Sequence, residues 1–529
     1  MPRDERELTP SHWALTSPTP PRPGLTENVT TDVVVLGGGV VGLSTAWELA
    51  RAGRQVVLVE ADRLAGAVSG RNTAKLSLLQ GLRHSTVRRA RGAEGSRLYV
   101  ASQRDAQARL LEIVAELGPG SDVELERAPA LTFAEAPARL PELAEEAGAA
   151  RAAGLPVERV DHGELPFPIA GAVRLEDQYQ FHPRRFLVGV AEDVERLGGR
   201  LYEHTRAVAL REGRRVTVRT EGGALVEAEH VVVATHYPVF DRSGAFARLP
   251  VRREAVVAGA LPAERAPRGM YLSPEHGTRS LRSAPLPDPA SRLLLVTGEK
   301  YRPGAGDDGE HVDRLAAWAE ERYPELRISH RWTAQDAFSP DGVPLVGRLR
   351  PGSRRAWVAT GFGGWGLLGG VMAARLLTAR VTGTSLPEWS DLHAPHRLPR
   401  PAELPRLARH QATVARHLVV DRAAAPGGER AVPEIAPGSG AVVRDGRALC
   451  AVHRAADGTL SSVSARCTHL GCLVHFEEAE QAWACPCHGS RFGVDGRVLN
   501  GPAVRPLRPR PVPGEAADGE RPDGEERAE

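Results

Sequence analysis

Four residues near the far end of the chain carry its most specific chemistry. Cys467 and His469 stand as Cys-x-His, and after a gap of fifteen residues Cys485 and His488 stand as Cys-x-x-His. Two thiols and two imidazoles in a pair of short loops suit a [2Fe–2S] cluster, with sulfur on one iron and nitrogen on the other. The same four make a good tetrahedral zinc set. Cys472, just after the first pair, and Cys487, inside the second, are not explained by zinc.

The two stretches read CTHLGC (467–472) and CPCHGS (485–490). They resemble, letter for letter, the cluster boxes of the Rieske proteins of respiratory and photosynthetic cytochrome bc-type complexes. The resemblance implies a small all-β Rieske domain over 431–512, with Cys467, His469, Cys485 and His488 as cluster ligands. It also implies a disulfide between Cys472 and Cys487, and apolar cover from Trp483 and Phe492. The two imidazoles are expected nearest the surface, where electrons enter or leave. High-potential members give the cluster sulfurs both a Ser and a Tyr hydroxyl after the second box. Here Ser490 is present, but Phe492 stands at the Tyr position, so a lower potential is expected.

A one-electron carrier needs a donor or acceptor, and the other chemistry-bearing stretch lies near the N-terminus. A buried apolar strand (Val33 to Leu36) runs into Gly37-x-Gly39-x-x-Gly42, which opens an amphipathic helix ending near Gly53. A second strand, Val56 to Val59, stops at Glu60. The glycines allow a tight turn and close approach to a pyrophosphate, the helix N-terminus offers free N–H groups, and Glu60 is placed for an adenosine ribose.

The loop that follows, GAVSGRNTAK (66–75), resembles the GASGRNGG segment of the D-amino-acid-oxidase-like FAD family, which includes glycine, sarcosine and glutamylputrescine oxidases. The resemblance implies FAD, with Ser69, Arg71, Thr73 and Ala74 running under its pyrophosphate. Thr73 and Ala74 replace the family's Gly-Gly. Arg71 and Lys75 would complement phosphate or reduced-flavin charge. Val208 matches the position whose backbone meets the adenine. A second glycine set, Gly361-x-Gly363-x-x-Gly366, lacks a following strand with a terminal acid. In the family this turn lies over the isoalloxazine ring, and its helix N-terminus stabilises the anionic reduced flavin. One FAD site and no NAD(P) site are therefore expected.

Glycine-oxidase-like enzymes place an Arg five residues before a D-G-x-P box to grip the substrate carboxylate. Before Asp341-Gly-Val-Pro that position is Asp336, which would repel a carboxylate and pair with an ammonium group. Asp336 and Trp365 are the candidate catalytic residues. Asp336 is equally readable as a partner of Arg331 or a loop cap. Tyr271, Arg279 and Arg282 are readable as pocket residues or as solvated strand faces.

The elements that must position these groups need more than one core. The chain has 529 residues, 42% of them hydrophobic and 25% charged, which is ordinary for a soluble protein of two or three domains. The expected organisation is a flexible N-terminal arm (1–26), then a Rossmann-like α/β FAD-binding domain with an α+β substrate domain, mainly antiparallel sheet (27–389). A connector (390–430), with a basic helix around Leu404 to Arg422 carrying His410 and His417, leads to the Rieske domain (431–512) and a disordered acidic tail (513–529). The formal net charge of +2 gives no basic field for nucleic acid. No apolar run is long enough for a transmembrane segment, and no secretory pattern opens the chain, so a cytoplasmic location is expected. The first cysteine is Cys450, which excludes a cysteine-linked flavin.

Together these features imply an FAD-dependent dehydrogenase that oxidises a small amine or amino-acid-like substrate and passes electrons through the cluster to a one-electron redox partner. An electron-transfer or redox-sensing protein without an organic substrate is the alternative. A Rieske oxygenase would need a 2-His-1-carboxylate iron site, and the sequence shows no closely spaced His pair with a matching acid.

Overall fold

The computed structural model describes residues 8–241, 244–275, 277–304, 306–424 and 431–514. It divides into two compact units. The first comprises residues up to 302 together with 308–411, and the second comprises 303–307 and the residues from 412 onward.

The first unit is built on two sheets. One runs in the order Leu345–Arg348, Ala356–Thr360, Leu225–Val233, Val29–Leu36, Val56–Val59, Arg200–Tyr202. All neighbours are parallel except the first pair. Parallel strands are covered on both faces, so they read as unbroken apolar runs, and Val56–Val59 and Ala356–Thr360 are buried throughout. Alternate residues feed opposite cores. Val33, Val35, Val56 and Leu58 pack with the helices Val40–Arg51 and Gly366–Thr382 through Leu43, Trp47, Val371 and Leu376. Val34, Leu36, Val57 and Val59 pack on the other side with Val216, Val218 and Val226.

The second sheet has nine strands. Its central path is Arg327–Ala337, Val251–Pro262, Ser291–Tyr301, Arg279–Pro285, Met270–Ser273, Glu126–Ala134, Gly171–Gln180, Lys75–Leu76. One pair, Met270–Ser273 with Glu126–Ala134, is parallel, and the other pairings are antiparallel. Lys75–Leu76 is continuous with the 66–75 loop, so that loop leads straight into the second sheet.

The second unit holds two antiparallel sheets: Ser439–Asp445, Ala448–Arg454 and Leu460–Ser464 in one, and His475–Glu477, Ala482–Ala484, Arg491–Gly493 and Val498–Asn500 in the other. The expected connector is divided between the units. Residues 390–411 stay with the first, where Arg397 pairs with Asp341 and Glu403 with Arg91. From residue 412 the helix Leu404–Ala424 belongs to the second, where Val414 and Leu418 pack on its core. The acidic tail from residue 515 lies outside the described residues. No helix among the described residues is long and apolar enough to cross a membrane.

From residue 8 onward the N-terminal segment, expected to be a flexible arm, packs into the first unit. A short helix, His12–Thr16, buries Trp13 completely. Ser11 Oγ donates to the Gly70 carbonyl at 2.6 Å and Trp13 Nε1 to the Asn72 carbonyl at 2.8 Å. The proline-rich composition suggested a loose segment, yet it carries the donors that the 66–75 loop needs. Removing the indole leaves a cavity and an unmet carbonyl. Trp13→Ala is therefore expected to cost about 3–5 kcal/mol in stability and to speed flavin release, measured by denaturant unfolding and by fluorescence of released flavin.

Candidate functional site

The glycine turn of the first unit is fixed by close approach. Gly37 adopts φ +110°, and a Cβ there would press on the Ala234 carbonyl. A Cβ on Gly42 would collide with the Gly37 carbonyl oxygen, and one on Gly39 would meet Ser69 Oγ at 2.9 Å. A cradle this tight leaves backbone at its surface, which suits a pyrophosphate. The helix Val40–Arg51 has no side-chain cap of its own. Ser69 crosses its mouth and accepts from Val40 N at 3.0 Å. Glu60 turns its carboxylate back onto the turn, accepting from Gly38 N at 2.6 Å and Asp62 N at 2.9 Å. Burial pushes its pKa up against those hydrogen bonds. Val208 falls where the register between Ala207–Glu212 and Val216–Thr220 shifts. An irregularity of that kind frees backbone from the ladder, as an adenine contact requires.

The 66–75 loop has little regular structure, so its carbonyls depend on donors from elsewhere. Besides Ser11 and Trp13, Trp332 Nε1 donates to Arg71 O at 2.9 Å and Arg282 Nη1 to Ala74 O at 2.8 Å. Arg282 is thus a buried loop tether, not a solvated strand face. Tyr271 is buried too, and its hydroxyl accepts from Glu164 N at 3.1 Å. Arg279 pairs with Glu299 at 2.7 Å. Ala74 has φ +57°, a conformation that favours glycine, which accounts for the second glycine of the resembling family's Gly-Gly, at Ala74. Lys75 is buried, its ammonium donating to Tyr271 O at 2.9 Å and to Ser280 Oγ. Burial, then Arg282, lower its pKa to about 7. Burial and the nearby Arg253 also lower that of Arg71. Crowded cationic groups of this kind suit an anionic partner.

The second glycine turn is held from two directions. Buried Arg83 donates to the carbonyls of Gly342 and Gly363, tying the Asp341-Gly-Val-Pro box to the turn. Gly361 and Gly363 take φ +77° and +60°. Half-buried Trp365 occupies the N-cap of the helix Gly366–Thr382, with no side-chain cap. Asp336 does not pair with Arg331, which binds Asp313 instead. Its Oδ1 accepts from His236 Nε2 at 3.0 Å and from Ala337 N at 2.7 Å, while Oδ2 accepts from Gly364 N. Asp336 is thus a loop cap carrying a histidine, and His236 is the residue that sequence reasoning missed. Nothing local marks it, since it sits a hundred positions away. Asp341 is fully buried between Arg91 and Arg397. Burial pushes its carboxyl up, but Arg397 and Arg91 prevail and hold it well below the usual range.

In the second unit the two candidate ligand loops repeat one turn. Cys467 N donates to Cys472 O and Gly471 N to Cys467 O, both at 2.9 Å. Cys485 N donates to Ser490 O at 2.8 Å and Gly489 N to Cys485 O at 3.0 Å. Gly471 and Gly489 supply the positive φ that closes each turn. A Cys472–Cys487 disulfide joins the loops, with Cα atoms 6.8 Å apart. The imidazoles of His469 and His488 face each other edge to face at 5.0 Å. A hydrogen bond from Cys485, then the amides of His469 and Leu470 and the Ser490 hydroxyl, lower the Cys467 pKa against burial. Cys485, sharing that bond and buried, is raised. Trp483 and Phe492 are buried in one apolar cluster with both thiols. The donor set, the amides aimed at sulfur and the dry surroundings fit a [2Fe–2S] cluster. His469 is half-buried but His488 is 1% exposed, so only one of the two imidazoles lies at the surface.

Comparison with known proteins gives two family matches: FAD dependent oxidoreductase over residues 32–380 and Rieske [2Fe-2S] domain over residues 430–511. YhfW of Bacillus subtilis (strain 168), named for a Rieske 2Fe-2S centre, is 30% identical over 95% of this chain and 98% of its own length. The gamma-glutamylputrescine oxidoreductase of Escherichia coli (strain K12) is 26% identical over 71% of this chain and 90% of its own. The crystal structure of glycine oxidase from Geobacillus kaustophilus superposes with a TM-score of 0.57 and 20% identity, covering 70% of this chain and 99% of that one, a likeness of fold. FAD and a [2Fe–2S] cluster are thereby the cofactors of this chain.

Two outcomes follow from the geometry. Asp341→Asn takes a shared carboxylate from two buried guanidiniums, of which Arg91 keeps Glu403, and a broken buried pair costs about 3–5 kcal/mol. Because the folded carboxyl titrates below its unfolded value, this stabilisation is complete above about pH 4. It fades as pH falls further, so the gap between wild type and variant in urea unfolding should shrink in acid. In the second unit, Ser490→Ala should lower the cluster potential and Phe492→Tyr should raise it, read by redox titration of the Rieske EPR signal. Unchanged potentials in both variants would contradict the hydrogen-bond argument.

Proposed function

This chain belongs to the FAD dependent oxidoreductase family and carries a Rieske [2Fe-2S] domain, and from that premise we propose that it is a dehydrogenase of a small amine or amino-acid-like substrate whose electrons leave through the cluster. The observation that carries this reading is the pairing, in one chain, of a fold suited to two-electron chemistry with a ligand set suited to one-electron transfer. When bound, FAD would take a hydride from a C–H bond next to nitrogen, and the cluster would carry electrons singly. Relatives named for glycine and gamma-glutamylputrescine support the nitrogen-bearing substrate class.

The chain's own residues set the conditions for that chemistry. Gly37, Gly39, Gly42, Ser69 and Glu60 would receive the dinucleotide, with the helix N-terminus at Val40 turned to its phosphates. Asp336 acts by position: it fixes Gly364 and holds the His236 ring beside the second glycine turn. Its negative charge near that turn disfavours a carboxylate and favours a cationic amine or a neutral substrate. Trp365 would supply an apolar wall at the mouth of the helix. Covalent linkage of the two modules raises their effective concentration to about the millimolar range when they can meet, which favours discharge through the cluster over discharge to oxygen.

The test is an anaerobic screen of small amines and hydroxy acids for flavin bleaching, followed by assay with an external one-electron acceptor. The cluster-free Cys467→Ser variant should still bleach with the identified substrate, but should lose acceptor reduction. Equal acceptor reduction with and without the cluster would refute the relay. If no organic compound bleaches the flavin while an external reductant does so only through an intact cluster, the protein is a redox sensor or carrier.

A further inference from the structure

One group of ligand-type side chains in the second unit belongs to neither cofactor. His417 and Asp421 stand one turn apart on the helix Leu404–Ala424, and His475 opens the strand His475–Glu477. His417 Nδ1 lies 2.8 Å, and His475 Nε2 3.2 Å, from the same oxygen, Asp421 Oδ2. The three donor atoms all fall within 4.8 Å of one another. The two rings meet edge to face, 78° apart, so they converge on the carboxylate instead of stacking. Among the described residues these two histidines are the ion-pair partners of Asp421, and no arginine or lysine competes for it.

The scaffold holds these donors from both sides. Val414 and Leu418 seat this stretch of helix on the apolar cluster that contains Cys467 and Cys485. His475 is fixed in its strand by pairing with Ala484. The side chains remain partly open to solvent, Asp421 at 19% and His475 at 38%.

We propose that His417, Asp421 and His475 bind one divalent first-row transition ion, at a site separate from the [2Fe–2S] ligands. Two imidazole nitrogens and one carboxylate oxygen suit Zn(II), Fe(II) or Ni(II) far better than magnesium or calcium, which take oxygen ligands. As they stand, the donors make two N–H···O hydrogen bonds to one oxygen. With its proton moved to its other nitrogen, each ring offers a lone pair to a cation seated between the three donor atoms. The exposed side leaves room for water ligands, as in exchangeable or reactive sites and unlike closed structural ones. An ion here would also fasten the helix to the strand that follows the first ligand loop.

Zinc chloride is the probe. The full-length holoprotein, washed with chelator and desalted, is titrated with Zn(II), gel-filtered, and assayed for zinc and iron by mass spectrometry. One zinc per chain is expected, with two irons and the Rieske EPR signal retained. His417→Ala, His475→Ala and Asp421→Asn should each weaken zinc binding by roughly tenfold or more. Asp421→Asn preserves shape and one acceptor oxygen, and so is the variant safest against misfolding. If it keeps its iron, flavin and EPR signal yet takes up zinc as tightly as wild type, the site lies elsewhere and the proposal fails. Absence of zinc uptake by the wild-type protein would overturn it equally.

Discussion

A loop without a ladder must borrow hydrogen-bond partners, and the flavin unit depends on how the 66–75 segment does so. The carbonyls of Gly70, Arg71, Asn72 and Ala74 are taken by Ser11, Trp332, Trp13 and Arg282. The donors come from three distant parts of the chain: the N-terminal helix, the strand Arg327–Ala337 and the strand Arg279–Pro285. A buried carbonyl left unmet costs about 1–3 kcal/mol, so these donors hold the loop in one conformation together. Ser69 on the same loop then closes the N-terminus of the helix Val40–Arg51. The loop's far end becomes the strand Lys75–Leu76 of the nine-stranded sheet. One constraint thereby sets both the mouth of the first glycine turn and the start of the nine-stranded sheet.

Buried charge plays the matching part around the second glycine turn. Asp341 sits between Arg91 and Arg397, and Arg91 also meets Glu403. Arg83 reaches across to Gly363. These contacts bring residues 397–403 into the flavin unit. In the second unit the constraint is conformational. Two turns of identical hydrogen-bond pattern, each closed by a glycine, present Cys467 and Cys485 to the same interior, and a disulfide ties the turns together.

Much of this was legible from local pattern. The strand–turn–helix–strand run ending at Glu60 and the two cysteine–histidine boxes encode their geometry within a few residues, because turns and helix mouths are built from neighbours. What stayed hidden is non-local. The N-terminal segment reads as loose, since its prolines obscure two donors whose acceptors lie 59 positions away. Asp336 reads as a possible substrate partner, and only tertiary structure brings His236 and Gly364 to its oxygens. His417 and Asp421 are recognisable as a helical pair, but His475 joins them from across a 54-residue separation.

In the proposed relay, substrate oxidation and cluster reduction are successive steps in one chain. It is tested most directly by rapid freeze-quench EPR of the anaerobic holoprotein mixed with the amine that bleaches its flavin. The Rieske signal should grow in as electrons leave the reduced flavin, and should be absent from Cys467→Ser. A fully reduced flavin beside a cluster that stays oxidised through the whole turnover would contradict it.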